Sequence, residues 1–260
     1  MLALFIKYKK GCYFLSVLLI IFLLIKYLKI DLGILFSDLH YVIDLLDEMM
    51  PPNYKITWES NVIVNSIFQT VCMAYLGTIL GGIIAFIFSL IASNNLFHNN
   101  YIGSIAKIVL AFIRVIPSLI IVLIFVVAVG PGPFAGVLTI IFATIGTLGK
   151  LFTESLDNLD PNCNNALKAI GANKLQIFKF ATWPAFLPTF ISNLLYCFDI
   201  NMRSAVALGI FGGGGIGYKL YLAMRVLHYK DALALITCII ILILIIESIS
   251  NYLRNMILNT

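Results

Sequence analysis

Six stretches of this chain, running approximately from Cys12 to Leu28, Val62 to Ala92, Ile108 to Val129, Phe134 to Phe152, Pro184 to Ile200 and Ala232 to Ser250, are predominantly apolar. Each approaches the roughly 20 residues that a helix needs to cross about 30 Å of hydrocarbon at about 1.5 Å per residue. A water-soluble core built from 260 residues has no room for runs of that length. Composition agrees: 61% of residues are apolar and 11% are charged, against roughly 25% charged in a soluble domain. These figures exclude a cytosolic enzyme, a disulfide-stapled secreted module, a disordered chain and a coiled coil. What remains is an all-α, polytopic transmembrane helical bundle of about six spans. The second run is long enough to tilt or to project past the bilayer. The first follows Lys7, Lys9 and Lys10 as a secretory signal would, but no small-residue cleavage site follows, and Lys26 and Lys29 close it. It reads as an uncleaved anchor, so residues 1–60 form an N-terminal anchor helix with an external segment and residues 61–260 the main transmembrane domain.

Charge placement gives an orientation. The amino terminus is basic, whereas Ile30 to Ser60 holds Asp31, Asp38, Asp44, Asp47, Glu48 and Glu59 against Lys55 alone, which puts the first side in the cytoplasm and the second outside. Six crossings return the carboxyl terminus to the cytoplasm. Lys150 to Trp183 then lies inside and the turn Gly130-Pro131-Gly132-Pro133 outside. Arg203, Lys219, Arg225 and Lys230 break the rule, because they fall on or near the external side. The net charge of +5 thus reflects topology, and nucleic acid is not an expected partner. The five cysteines, Cys12, Cys72, Cys163, Cys197 and Cys238, are widely spaced and four sit in apolar runs, which suits small buried hydrophobes. His40, His98 and His228 are too scattered for a metal site. No cofactor and no metal are expected.

The run GGGGIG at 212–217 matches G-x-G-x-x-G in letters but follows a membrane-length apolar stretch, not a soluble strand, so the dinucleotide reading lacks its βαβ context. Nor is it a P-loop, since Tyr218 separates Gly217 from Lys219 and no Ser or Thr follows the lysine. Gly212, Gly213, Gly214, Gly215 and Gly217 read instead as a hinge or gate, admissible at membrane depth only where protein or water satisfies the freed amides. No Ser, His and Asp combination, no His-Glu-x-x-His and no cysteine pair at metal spacing lies near the spans, so no enzyme is expected. Gly77 and Gly81 form a small-xxx-small pair suited to close helix packing.

The stretch Asp160 to Pro188 carries charged and amide residues too costly for lipid. Apolar residues recur at Ala166, Leu167, Ala169 and Ile170, and again at Leu175, Ile177 and Phe178, around Gly171. That pattern predicts two short helices broken at a glycine. Two readings stay open on this ground: a knob that a partner protein grips, or an amphipathic helix on the membrane surface anchored by Lys168, Lys174 and Lys179.

The order Asn165-Ala166-Leu167-x-x-x-Gly171, followed by Ala181-x-Trp183-Pro184, is similar to the Glu-Ala-Ala loop of membrane subunits of bacterial ABC importers. RVIPSL at 114–119, VGPGPFAGVL at 129–138, TIGTLGKLFTESLDNLDP at 144–161, ALKAIGANKLQIFKF at 166–180, FDINMRSAVALGIFGGGGIG at 198–217 and LAMRVLHYKDALAL at 222–235 resemble the phosphonate permease branch in particular. The likeness covers roughly Ile108 to Leu258. It implies the type I ABC importer permease fold, with a cytoplasmic coupling loop at about 153–183. It also implies ABC ATPase subunits gripping Asn165, Ala166, Leu167, Ala169, Gly171 and Ala172. The family's usual glutamate is Asn165 here, which keeps a polar contact and loses its charge. Further implied are an extracytoplasmic solute-binding protein, a homodimer of this chain, a phosphonate-like anion as substrate, and residence among lipid in the bacterial cytoplasmic membrane with both termini inside.

Charges inside spans are costly and usually functional or paired. Arg114 reads either as a side chain snorkelling to the inner interface or as a substrate contact, with Pro117 favouring a helix start or kink nearby. Arg203, with Asn201 and Ser204, is expected to line an anion path at the external end of span five, since guanidinium and amide donors suit oxyanions. An Asp199 to Arg203 pair at i,i+4 is the competing account of the same residues. An ion-coupled secondary transporter is the alternative function, and it calls for inverted repeats and mid-membrane acids. Neither is visible, Glu247 being read near the inner end of span six.

Overall fold

The computed structural model describes residues 2–29, 33, 37–55, 61–95 and 100–258. Asp31, Glu59 and His98, on which parts of the charge reading rest, lie outside the described residues. Regular structure among the described residues is helical throughout, with two π turns. The chain divides into residues 1–50 and 51–260, ten residues before the expected division. In the first unit, α1 (Leu2–Tyr27) carries the apolar stretch Tyr13–Tyr27, shorter than the other spans, and α2 (Leu39–Met49) follows.

In the second unit four helical stretches are long and apolar enough to cross a membrane: Asn61–Ala92, Pro133–Asp157, Lys174–Gly213 and Tyr229–Ile257. The first is α3 (Asn61–Ala92). The expected third span, Ile108 to Val129, is instead two helices, α4 (Asn100–Val115) and α5 (Ser118–Val129), bent by 84°. Pro117 is the cause: it starts α5 and holds extended backbone at φ −60°, ψ 132°, so no helical hydrogen bond carries through. A helix α6 (Pro133–Asp157) comes next, then the short pair α7 (Pro161–Ala169) and α8 (Lys174–Ile177). A π turn, Phe178–Thr182, leads without a break into α9 (Trp183–Leu208). A second π turn at Gly209–Gly213 precedes α10 (Gly215–Arg225) and α11 (Tyr229–Leu258).

Small residues bring the central helices together, as membrane packing requires where lipid offers no hydrophobic contrast. A side chain on Gly77 of α3 would run into Ile140 of α6, and one on Gly81 would sit 2.7 Å from Thr144 Cβ. Gly136, Gly146 and Gly149 do the same along α6 toward Met73, the Arg114 backbone and Leu110. One core of Met73, Ala74, Val122, Ile140, Met202, Ala205, Leu208 and Ile246 joins five helices. A second, aromatic core seats the base of α9: Phe86 of α3 lies 5.6 Å from Trp183 and Phe152 of α6 lies 4.8 Å from Phe190, ring to ring. At one end of the bundle the starts of α3, α6 and α11 gather, with the Asn53 amide donating to the Lys230 carbonyl. At the other end Asp157 ties three elements, accepting from Ser93, from the Asn94 backbone and from Lys107. The α7–α8 pair projects from that second end.

Candidate coupling segment and transport route

Residues 158–182 fold as a capped corner. Asp160 accepts from the Asn162 amide and Pro161 opens α7, the start that Asp-Pro favours. The helix stops at Gly171, φ +85°, with its amide bonded to the Lys168 carbonyl and that of Ala172 to the Leu167 carbonyl. Those two bonds make a Schellman closure, which needs the left-handed residue at this position. Asn173 and Gln176 then exchange side-chain and backbone bonds in a capping box that starts α8. The predicted break at a glycine is there. The second helix, however, is the first turn of a helical stretch running from Lys174 to Gly213, through a π turn just before Pro184, which has no amide hydrogen to give to residue 180. Asn165, Ala166, Ala169 and Gly171 are exposed, Leu167 and Ala172 partly so. Beside them Ile170 and Phe180 expose apolar side chains around a cavity of about 380 Å³, and Leu175 is exposed nearby.

The residues expected to line an anion path fall in three places. Asn201 and Ser204 come together, in a small cavity of about 80 Å³ shared with Ser118, Thr139 and Thr147. Asn201 is buried, and its amide nitrogen lies 2.8 Å from both Thr78 Oγ1 and Thr144 Oγ1, so it pins α9 to α3 and α6. These threonines sit in the middle of their helices, about 26 Å along α3 and about 16 Å along α6. Arg203 points to the opposite face of α9. Its guanidinium pairs with Asp199 at 3.0 Å and with Glu247 of α11 at 2.9 Å. Arg203 lies five residues before the end of α9 and Glu247 eleven before the end of α11, so the three charges join the two helices side by side. The expected Asp199 pair is present, and Glu247 is a partner that sequence reasoning missed, since 44 residues separate it from Arg203. Arg114 occupies a third place, a cavity between α4 and α6.

The glycine run breaks the helical path after Leu208. Phe211 and Gly212 leave helical geometry, and Gly212, Gly214 and Gly215 all hold positive φ. Two of its backbone groups are met inside the protein: the Gly212 carbonyl accepts from Gly132, and the amide of Ile216 donates to Thr70 Oγ1, the kind of partner that irregular backbone needs within a membrane. Gly213 and Gly217 pack against the end of α9, where a side chain on Gly217 would run into the Val206 carbonyl. Beside the run lies a cavity of about 360 Å³ lined by Asn65, Gln69, Gly214, Gly215 and Lys219. Among the described residues no group of three or more His, Cys, Asp or Glu side chains is placed to hold a metal ion.

Residues 77–257 match the family described as binding-protein-dependent transport system inner membrane component. A putative phosphite transport system permease protein of Stutzerimonas stutzeri, HtxC, is 33% identical over 213 residues, which span 82% of this chain and 74% of that protein. The phosphite transport system permease protein PtxC of the same organism is 28% identical over 227 residues, 86% of this chain and 81% of that one. The inward-facing MetNI methionine ABC transporter superposes on 79% of this chain and 99% of its own with a TM-score of 0.69 at 16% identity. A bacterial ABC transporter involved in import of the acidic polysaccharide alginate superposes on 95% and 96% with a TM-score of 0.66 at 15% identity. These two structural likenesses concern the fold.

Proposed function

The chain belongs to the family of binding-protein-dependent transport system inner membrane components, and on that premise we propose that it carries phosphonate or a similar small oxyanion across the bacterial cytoplasmic membrane by ATP-driven alternating access. The observation that carries this reading is the helical stretch running from the α7–α8 corner to Asn201, level with Thr78 and Thr144 in the middle of α3 and α6. Its first turn belongs to the corner and its later turns hold Asn201, Arg203 and Ser204. Closure of an ATPase pair on Asn165 to Ala172 would displace one end of a stiff rod. The aromatic core around Trp183 supplies a fulcrum, and the far end moves beside the glycine hinge. The exposed apolar side chains Ile170, Leu175 and Phe180 suit a partner's cleft.

In this reading the hydroxyls of Ser118 and Thr147 offer donors to the passing anion, while Thr139, Asn201 and Ser204, whose hydrogens go to Ala135, to Thr78 and Thr144, and to Ile200, shape the cavity. A solute-binding protein delivers it at the opposite end, where Lys219 and the glycine backbone line an open cavity. Arg203 and Glu247 are 46% and 43% exposed. Contact with hydrocarbon there costs at least about 2.5 kcal/mol per charge, which favours a twin copy of the chain, and water between the two, on that face. Arg203 would then present its remaining donors to the route. Both termini lie in the cytoplasm. Family membership sets the ion-coupled secondary transporter aside.

The test is co-purification of the detergent-solubilised chain with its ATPase, wild type against Gly171→Pro and Asn165→Arg. Capture by wild type that both substitutions abolish is the expected result. Capture that survives both would remove the corner from the coupling role.

A further inference from the structure

The cavity between α4 and α6, about 490 Å³, lies toward the end of the bundle from which the coupling corner projects. It exists because Gly146 and Gly149 let α4 rest directly on α6: a side chain on Gly146 would come within 2.9 Å of the Arg114 amide nitrogen, and one on Gly149 would run into Leu110. Five charged side chains face it. Lys107 pairs with Asp157 at 3.2 Å and Lys150 with Glu154 at 3.4 Å, so each carboxylate has its own lysine. Arg114 has no carboxylate partner among the described residues, and its guanidinium is the surplus charge of the cavity. Leu110, Ala111 and Val115 form the other wall. Exposed Ile105, Ile108 and Phe112 continue that wall outward along α4.

We propose that this cavity binds a phosphate-type oxyanion, received by the fork of Arg114 and flanked by Lys107 and Lys150. The five fixed donors of a guanidinium match tetrahedral oxygens in pairs, whereas the two lysines act as point charges that remain partly shared with their carboxylates. The chemistry is common to two sources, the headgroup of an anionic phospholipid, whose chains would follow the apolar face of α4, and a free phosphate-like anion. The site is separate from the Asn201 and Ser204 cavity and does not depend on the transport reading.

The experiment uses the purified full-length chain with two probes. Dioleoyl phosphatidylglycerol, compared with dioleoyl phosphatidylcholine, is scored as retained adducts by native mass spectrometry. Inorganic phosphate labelled with ³²P is scored as saturable binding in a scintillation proximity assay. Arg114→Gln is expected to weaken binding about tenfold or more, the loss that follows from removing a charge-assisted fork, while Lys230→Gln, at the start of α11 and the opposite end of the bundle, leaves it unchanged. Retention of phosphatidylglycerol alone assigns the lipid as the source, and saturable phosphate binding assigns the free anion. Either result, with the Arg114 dependence, supports the site. Absence of both in wild type, or equal losses in Arg114→Gln and Lys230→Gln, overturns it. If Arg114→Gln does not assemble, Lys150→Gln on the facing wall carries the test with the same expected direction of loss.

Discussion

Arg203 stands between two carboxylates, one on its own helix and one on α11, and the three side chains carry a net charge of −1. The Asp199 oxygen that does not meet Arg203 is buried without a hydrogen-bond partner among the described residues. Removing the guanidinium leaves two acids facing each other where water is scarce. Arg203→Gln is therefore expected to destabilise the chain by about 1–3 kcal/mol, the cost of orphaning charge that is part-shielded and part-exposed. Glu247→Gln, which leaves the Asp199 pair intact, should cost less. Thermal unfolding in detergent of both single variants and the double variant gives the coupling between the two positions. A coupling near zero would mean that the pair does not hold α9 to α11. Transport separates the two roles of Arg203: an Arg203→Ala variant that assembles and still transports at full rate would leave it a helix pin and no part of the anion route.

At the scale of elements, the corner between α7 and α8 is stiff because both sides of the turn are capped. Its weak point is Gly171, where a side chain would meet nothing within 4 Å and yet must take φ +85°. The penalty of substitution is thus conformational, not steric. Gly171→Ala is expected to cost about 1–2 kcal/mol, and Gly171→Asn less, since asparagine tolerates the left-handed region. Hydrogen exchange across residues 160–178 checks this. Alanine should speed exchange at the Gly171 and Ala172 amides, whose bonds close the corner, and asparagine should nearly restore protection. Equal protection in all three proteins would show that the closure does not depend on that backbone conformation.

For the whole molecule, the described hydrophobic cores all draw their residues from positions 63 to 246. Residues 51–55 are fastened to the start of α11 through Asn53, which also reaches Asp231 at 2.8 Å. A chain beginning at Pro51 is accordingly expected to keep its fold, with a midpoint of thermal unfolding within about 4 °C of the full chain, the shift that roughly 1 kcal/mol produces at this size. Collapse of the truncated chain into aggregate, or a fall well beyond that, would show that the first unit contributes to the bundle's stability.

Hydropathy alone identified the solvent of this chain, the number of apolar runs and the glycine corner, because each of these follows from local composition or from one residue's backbone freedom. The capping residues Asp160, Asn173 and Gln176 act within a few positions of themselves, and Gly77 and Gly81 mark a close approach by the smallness of their side chains. Other features depended on partners far away in the chain. The apolar run from Ile108 to Val129 reads the same whether straight or broken; Pro117 allows the 84° bend, and the close seat of α4 on Gly146 and Gly149 fixes where the first half lies. Span five ends at Ile200 when Asp199 and Arg203 are counted as free charges. The helix continues to Leu208, and the packing of α11 on α9 brings Glu247 alongside as a second partner of the guanidinium. The same packing parted Arg114 from Asn201 and Ser204 and set it beside Lys107 and Lys150. Which charges share a cavity is decided by how helices cross, and only the folded bundle holds that information.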